Sequence, residues 1–168
     1  MLTSGSTGEP KGIVIAQRGI IRLVKDNGFL PLGPDTHLLH YAPLSFDAST
    51  FEIWGALLNG GCLVIASPGL LELEQLAAEI EQNGVNTLWL TAALFHAMAE
   101  HCPQAFAPLT TLLAGGDQLN PHLVKRVLYR YPHLTLINGY GPTENTTFTC
   151  CQVLTHADQV GRSVAIGK

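Results

Sequence analysis

Residues 85–116 have the sequence VNTLWLTAALFHAMAEHCPQAFAPLTTLLAGG, in which two short apolar runs flank a segment of helical periodicity. The pattern predicts a strand over 85–90, a helix over 92–101 and a second strand over 110–114 that leads into paired glycines. A strand, a helix and a strand at such short intervals indicate a parallel βαβ unit with a right-handed crossover.

The same alternation continues on both sides of this unit. Ser49 and Glu52 have the spacing of a capping box, and Asn120 before Pro121 is typical of a helix start. Further strands are predicted over 13–15, 37–42, 62–66 and 134–138, the one at 62–66 being buried, and further helices over 18–27, 49–58, 70–82 and 121–130. The sequence therefore predicts an α/β fold with mostly parallel sheets flanked by helices.

Composition narrows the classes of protein that fit. Hydrophobic residues make up 46% and charged residues 13%, which predicts extensive burial. The apolar runs are too short to span a bilayer, and a net charge of −4 without a basic stripe disfavours nucleic acid as a partner. The four cysteines lack CxxC spacing, which fits reduced thiols in a cytoplasmic protein, and the scattered histidines do not suggest a metal site.

The segment Thr3–Gly12, TSGSTGEPKG, contains four hydroxyl residues, three glycines and a lysine. Glycines let backbone N–H groups approach phosphate oxygens, and Lys11 contributes a positive charge. It is not a Walker A loop, because Lys11 stands between a proline and a glycine and a strand is predicted after it. The alternative interpretation is a solvated Ser/Gly loop.

A second unusual loop, NGYGPTE at 138–144, combines an amide, an aromatic ring, a hydroxyl and a carboxylate. Such a set can stack a purine, bind its edge and hold Mg²⁺. An ordinary Gly-Pro turn with a solvated glutamate is the alternative.

In this order, the two loops resemble the main motifs of the adenylate-forming (AMP-binding) superfamily, which contains acyl-CoA synthetases, luciferases and amino-acid adenylation domains. The resemblance covers essentially the whole chain. It implies that the phosphates of ATP are bound by Thr3, Ser4, Gly5, Ser6, Thr7, Gly8 and Lys11. It also implies that Gly116, Asn138 and Tyr140 bind adenine, that Thr143 and Glu144 are the catalytic residues, and that Glu144 coordinates Mg²⁺.

Asp47 lies before a predicted helix among apolar neighbours, where a carboxylate could pair with a substrate ammonium. A helix cap is the alternative role, although Ser49 and Glu52 are predicted to supply that cap. Resemblance to adenylation domains of nonribosomal peptide synthetases implies an amino-acid pocket formed by Asp47, Ala48, Phe51, Trp89, Leu113, Gly115, Gly139, Thr147 and Phe148.

This set is similar to the family pattern for valine, with Leu113 where isoleucine is usual. That exchange keeps side-chain volume and polarity. Isoleucine and leucine stay open as substrates, because one methylene in a hydrophobic pocket changes binding by only about 1–3 kcal/mol.

The resemblance implies ATP-dependent formation of an aminoacyl adenylate and its transfer to a phosphopantetheine thiol on a separate carrier domain, in a synthetase that also has condensation domains. It also implies a ribose-binding aspartate, a hinge and a catalytic lysine beyond Lys168. Residues 1–168 are therefore expected to be a fragment of the large N-terminal subdomain, without its extreme N-terminal part and the C-terminal subdomain, and to be inactive alone. The alternatives are an acyl- or aryl-CoA ligase of the same superfamily and a non-catalytic nucleotide-binding module.

Overall fold

The structure is a computed structural model that describes residues 1–3, 11–69 and 71–167. Its strands are β1 (Leu2–Thr3), β2 (Lys11–Gly12), β3 (His37–His40), β4 (Cys62–Ile65), β5 (Thr87–Thr91), β6 (Thr111–Gly115), β7 (Thr135–Tyr140) and β8 (Cys150–Leu154). Its α-helices are α1 (Gln17–Val24), α2 (Ala48–Leu57), α3 (Leu73–Gln82), α4 (Ala92–His101) and α5 (Pro121–Arg130). Short 3-10 helices cover Pro103–Phe106, Thr143–Asn145 and Ala157–Gln159.

Within the described residues, six strands form one sheet in the order β4-β3-β5-β6-β7-β8. Neighbouring strands are parallel except for β7 and β8, which are antiparallel. Thr91 pairs with Gly115, and Gly115 with Gly139, so β5, β6 and β7 end side by side. The predicted α/β class with a mostly parallel sheet is confirmed, and ligands of such sheets bind beyond these carboxyl ends.

The sheet separates two hydrophobic clusters. Along β6, Leu112 and Ala114 belong to the cluster with helices α3, α4 and α5, whereas Leu113 belongs to the cluster with α1 and α2. This alternation follows from the two-residue period of a strand. Because both faces of the sheet are covered, its inner strands are continuous apolar runs rather than alternating polar and apolar ones.

Local sequence patterns located several elements correctly. Helices α4 and α5 have their predicted bounds, and Asn120 Oδ1 accepts a hydrogen bond from the N–H of His122 as an N-cap. None of the helices in the described ranges is long and apolar enough to cross a bilayer.

Two expectations about strands were wrong, and one strand was not predicted. The ladder after the first loop ends at Gly12, so 13–15 is not a strand. Strand β4 lies at the sheet edge rather than in the interior, and Ile65 is 72% exposed because β3 is its neighbour on one side only. Strand β8 was not predicted, since its sequence CCQVL has no clear alternation.

The predicted capping box of Ser49 and Glu52 was also wrong. Asp47 occupies the N-cap position of α2, and the Ser49 hydroxyl donates to the Phe46 carbonyl at 2.7 Å. The Glu52 carboxylate instead turns toward the end of β3, because unpaired main-chain N–H groups there require an acceptor.

Glu52 joins α2 to the end of β3. Its fully buried carboxylate lies 2.7 Å from His40 Nδ1 and accepts hydrogen bonds from the N–H groups of Tyr41 and Ala42. Burial raises the pKa of Glu52 to about 7, while the bonds from His40 and the two N–H groups act in the opposite direction. Glu52 therefore determines the path by which the chain leaves β3 toward Asp47.

We expect Glu52→Ala to lower the free energy of unfolding by roughly 3 kcal/mol, because two buried N–H groups and His40 lose their partner. Denaturant unfolding measures this change. Glu74→Ala, on the exposed side of α3, is the control and should change stability by less than about 0.5 kcal/mol. Equal stability of the two variants would show that the Glu52 contacts do not hold α2 to β3.

Candidate functional site

Asp47 contacts the second loop motif directly. Its side chain is buried, and its Oδ2 accepts a hydrogen bond from the Thr143 hydroxyl at 2.9 Å. Its main-chain carbonyl accepts a second bond from the Thr147 hydroxyl at 3.0 Å. Two segments about a hundred residues apart in sequence therefore meet at this carboxylate.

The charge environment of Asp47 favours a cation nearby. Burial raises the pKa of Asp47 above its ordinary value, the neighbouring Glu144 carboxylate raises it further, and the bond from Thr143 acts in the opposite direction. A positive group bound beside Asp47 would stabilise its ionised form against both the burial and the neighbouring carboxylate.

The ends of the first loop motif lie near the same region. Thr3 pairs with Lys11 across the β1–β2 ladder, and the N–H of Leu2 donates to the Ser45 carbonyl at 3.1 Å. Residues 14–16, which follow this ladder, line one hollow together with Glu144. Lys11 is exposed, while Ser4, Gly5, Ser6, Thr7 and Gly8 lie outside the described residues.

The predicted adenine-binding residues line one cleft. This cleft has a volume of about 480 Å³ and is bounded by Gly116, Asn138, Tyr140 and the segment 163–166. The Tyr140 ring is 53% exposed, so one of its faces is available for stacking. The Asn138 amide is held in place because its Nδ2 donates to the Ala165 carbonyl at 2.8 Å, which leaves the amide oxygen as an acceptor.

The predicted amino-acid pocket residues are assembled around one buried cluster. Ala48, Phe51, Trp89, Leu113 and Phe148 all belong to it. The rings of Phe51 and Phe148 are 5.5 Å apart between centroids. These five side chains are apolar, and the buried Asp47 carboxylate lies next to Ala48 in the chain.

The glycines of this set permit a close approach of backbone and side chains. A Cβ on Gly139 would lie 2.7 Å from the Phe148 ring, and one on Gly115 would lie 2.1 Å from the Gly139 carbonyl oxygen. Glycine is therefore required at both positions for β6, β7 and Phe148 to pack as they do. Gly139 also lines the cleft formed by the predicted adenine-binding residues, so it borders both predicted sites.

Trp89 lines a second space, an apolar cavity of about 570 Å³ that also contacts Phe46, Tyr41 and Leu94. The Phe46 and Trp89 ring centroids are 5.7 Å apart. The indole Nε1 of Trp89 is buried and has no hydrogen-bond partner among the described residues. The open apolar volume thus lies on the Phe46 side of Trp89, whereas Phe148 fills the space above Gly139.

Two features of the site were not found from the sequence. The Glu52–His40 pair was hidden by an apparent capping box. The Arg22 guanidinium donates to the carbonyls of Asn145 at 2.6 Å and Phe148 at 3.0 Å, across more than 120 residues. No local pattern indicates such a contact, since only the fold brings α1 to this turn.

Metal binding by a protein-only cluster is not observed in the described part of the chain, where no group of three or more His, Cys, Asp or Glu could hold an ion. The exposed Glu144 carboxylate and the adjacent Thr143 hydroxyl nevertheless provide oxygen donors. This set fits Mg²⁺, which is commonly held by one or two carboxylates together with water and substrate phosphates. The cysteines are free thiols, and burial raises the pKa of Cys151 to about 12, which disfavours its reactive thiolate form.

Comparison with known proteins connects this geometry to a family. The family model described as AMP-binding enzyme matches residues 1–168. A linear gramicidin synthase protein of Brevibacillus parabrevis is 48% identical over 166 residues, which are 99% of this chain and 2% of that protein. The chain therefore spans only a small part of this curated relative.

Solved structures have the same fold. Holo-PA1221, described as an NRPS protein containing adenylation and PCP domains, superimposes with a TM-score of 0.93 at 48% identity, covering 99% of this chain and 29% of that one. The Klebsiella oxytoca NpsA N-terminal subdomain in complex with 3-hydroxybenzoyl-AMSN gives a TM-score of 0.90 at 35% identity, covering 99% and 43%.

We expect Gly115→Ala to lower the free energy of unfolding by about 2 kcal/mol, because its Cβ would overlap the Gly139 carbonyl and force β6 and β7 apart. Denaturant unfolding measures the change. Gly33→Ala is the matched control, since a Cβ there meets no heavy atom within 4 Å. If Gly115→Ala were as stable as the control, the close approach of the two strands would not be a constraint.

Proposed function

Because this chain belongs to the family of AMP-binding enzymes, whose model matches it over residues 1–168, we propose that the protein containing it activates an amino acid with ATP. The products are an aminoacyl adenylate and pyrophosphate. The observation that carries this proposal is the hydrogen bond from Thr143 to Asp47. It joins the nucleotide motif to the carboxylate that would bind the substrate ammonium.

In the proposed reaction, a carboxylate oxygen of the amino acid attacks the α-phosphorus of ATP. The new O–P bond forms as the bond from the α-phosphorus to the bridging oxygen breaks, and that oxygen leaves with pyrophosphate. The residues of this chain position the groups and neutralise charge rather than transfer protons. Thr143 would contact the α-phosphate, and the Thr3–Lys11 loop would bind the departing pyrophosphate.

The nucleotide fits the cleft next to the turn 143–146. Tyr140 would stack on adenine, the Asn138 amide oxygen would accept from its amino group, and Gly116 would leave room on the opposite wall. Glu144 would be the protein ligand of Mg²⁺, which supplies positive charge against the phosphates when bound.

We propose valine as the substrate. Asp47 would take the ammonium, and the apolar set of Phe51, Trp89, Leu113 and Phe148 offers no charge to a polar side chain. The large Trp89 side chain limits the volume for the substrate side chain. Isoleucine and leucine would be discriminated by only about 1–3 kcal/mol, because they differ from valine by a single methylene.

The protein containing this chain is proposed to be a nonribosomal peptide synthetase, in which residues 1–168 form part of the N-terminal subdomain of an adenylation domain. Support comes from the 48% identity to a linear gramicidin synthase protein and from the adenylation and PCP domains of holo-PA1221. The aminoacyl group would pass to the phosphopantetheine thiol of a carrier domain, beside condensation domains. The free cysteines fit our proposal of a cytoplasmic location.

A second candidate is activation of an aryl or acyl acid, as in a CoA ligase. The NpsA subdomain complex with 3-hydroxybenzoyl-AMSN favours this alternative. Asp47 disfavours it, because an acid without an ammonium would leave a buried carboxylate unpaired. A non-catalytic nucleotide-binding module would bind Mg·ATP without any exchange of pyrophosphate.

We expect Asp47→Asn in the full-length protein to lower kcat/KM for valine at least about a hundredfold, because the ammonium loses its buried partner. Valine-dependent ATP–pyrophosphate exchange measures this loss, with the exposed Asp35→Asn as control. Since burial raises the pKa of Asp47, wild-type kcat/KM should fall on the acid side at a pH above the ordinary aspartate range.

3-Methylbutanoate, which is valine without its amino group, completes this test. The wild-type protein should activate it poorly. Equal rates with valine and 3-methylbutanoate would contradict the amino-acid assignment and favour the ligase alternative.

We expect residues 1–168 alone to catalyse the exchange at least about a hundredfold more slowly than the full-length protein, because donors that stabilise the transition state would be absent. The two proteins should be compared at equal concentration with saturating valine. A comparable rate would show that the chain contains all the catalytic groups.

A further inference from the structure

The turn that follows Glu144 has an unfavourable backbone conformation. Thr146 and Thr147 are consecutive, and both have φ in the left-handed region, at 61° and 63°. A β-branched residue is rarely found there, because its Cβ crowds the backbone. Such a conformation persists only where surrounding contacts determine it strongly, and these contacts commonly occur at functional sites.

Contacts on one side of the turn come from Asp47. The hydroxyls of Thr143 and Thr147 donate to its carboxylate and its main-chain carbonyl. These bonds orient the two threonine side chains. Within the turn the Thr146 carbonyl accepts the N–H of Phe148 at 2.9 Å, whereas the carbonyls of Asn145 and Phe148 require donors from elsewhere.

Arg22, on helix α1, donates to three carbonyls of the turn. Its guanidinium donates to the carbonyls of Asn145, Thr146 and Phe148 at 2.6, 3.3 and 3.0 Å. Helix α1 is seated closely against the turn, because a Cβ on Gly19 would lie 2.5 Å from the Thr146 hydroxyl oxygen. The helix itself is anchored by Leu23 and Val24, which are 1% exposed.

We propose that Arg22 is a positioning residue that holds the turn 143–148 in place, including the left-handed backbone of Thr146 and Thr147. Through this turn, Arg22 determines the position of the Glu144 carboxylate, on the proposed nucleotide side, and that of the Phe148 ring, on the proposed amino-acid side. What Glu144 and Phe148 bind rests on the proposed function. The hydrogen bonds by which Arg22 joins α1 to the turn do not depend on it.

The chemistry of the contact requires arginine. A guanidinium has five N–H donors in a rigid plane, so it can bond several carbonyls at once. A lysine ammonium on a flexible stem is a single point of charge and cannot reproduce that fork. Lysine at position 22 would therefore keep the positive charge and lose the geometry.

The test uses the full-length protein with Arg22→Ala and Arg22→Lys. Arg126→Ala is the matched control, because Arg126 also donates to a main-chain carbonyl, that of Ala99, where α5 packs on α4. Both Arg22 variants should lose about tenfold or more in kcat/KM for valine-dependent exchange, since small displacements of positioned groups cost rate steeply. The control should retain wild-type exchange even if its melting temperature falls as far.

Two readouts separate positioning from general stability. The Mg²⁺ concentration for half-maximal exchange should rise about threefold or more in the Arg22 variants, and the preference for valine over isoleucine should change, since one methylene is discriminated by pocket shape. Added methylguanidinium should restore part of the activity of Arg22→Ala but not change that of Arg126→Ala.

A measurement independent of activity follows the turn itself. The amides of Asn145, Thr146 and Thr149 are hydrogen-bonded within it, to the carbonyls of Pro142, Thr143 and Tyr140. Hydrogen exchange of a peptide covering 142–149 should be faster in both Arg22 variants than in the wild-type protein and in Arg126→Ala.

The outcomes test the proposed function and the positioning role of Arg22 separately. A wild-type protein without amino-acid-dependent ATP–pyrophosphate exchange would contradict the proposed function. Amide hydrogen exchange would still test whether Arg22 holds the turn. If the wild-type protein is active while the Arg22 variants match Arg126→Ala in Mg²⁺ dependence, selectivity and hydrogen exchange, the positioning role of Arg22 is overturned.

Discussion

The site depends on the close approach of β6 and β7 at Gly115 and Gly139, where a Cβ on Gly115 would lie 2.1 Å from the Gly139 carbonyl oxygen. Because the strands are parallel and in register there, the loops that follow them leave from the same sheet edge. The proposed adenine cleft opens between those loops, and Phe148 packs closely on Gly139. A larger side chain at either glycine would separate the proposed nucleotide and amino-acid regions.

Two carboxylates, those of Asp47 and Glu144, are neighbours at this edge of the sheet. Asp47 is buried, Glu144 is exposed beside it, and the pKa of Asp47 is raised both by burial and by that neighbour. A site that concentrates negative charge in this way is suited to bind an ammonium and a divalent cation together. The Thr143 hydroxyl, which donates to Asp47, couples the two positions geometrically as well.

The supporting contacts come from elements outside the two loop motifs. Glu52, on α2, holds the chain at Tyr41 and Ala42 and thereby fixes the approach to Asp47. Arg22, on α1, holds the carbonyls of a turn in which Thr146 and Thr147 are both left-handed. Both residues are charged groups that satisfy main-chain atoms, so their effect on the site is through backbone position rather than direct contact with a ligand.

Local sequence was sufficient for part of this protein. The periodicity and caps of 92–101 and 121–130 determined those helices, and apolar runs determined β5, β6 and β7, because these features depend on neighbours within a few residues. The composition of the two loops and the order in which they occur were enough to indicate the AMP-binding family, which the family model confirms. Tertiary structure decided the rest. It placed β4 at the sheet edge and added the antiparallel β8. It also brought His40 to Glu52, brought Arg22 to the carbonyls of the turn after Glu144, and formed the cavity on the Phe46 side of Trp89. Each of these is a contact between segments distant in sequence, and a chain pattern with a period of two or 3.6 residues carries no information about which distant segment supplies the partner.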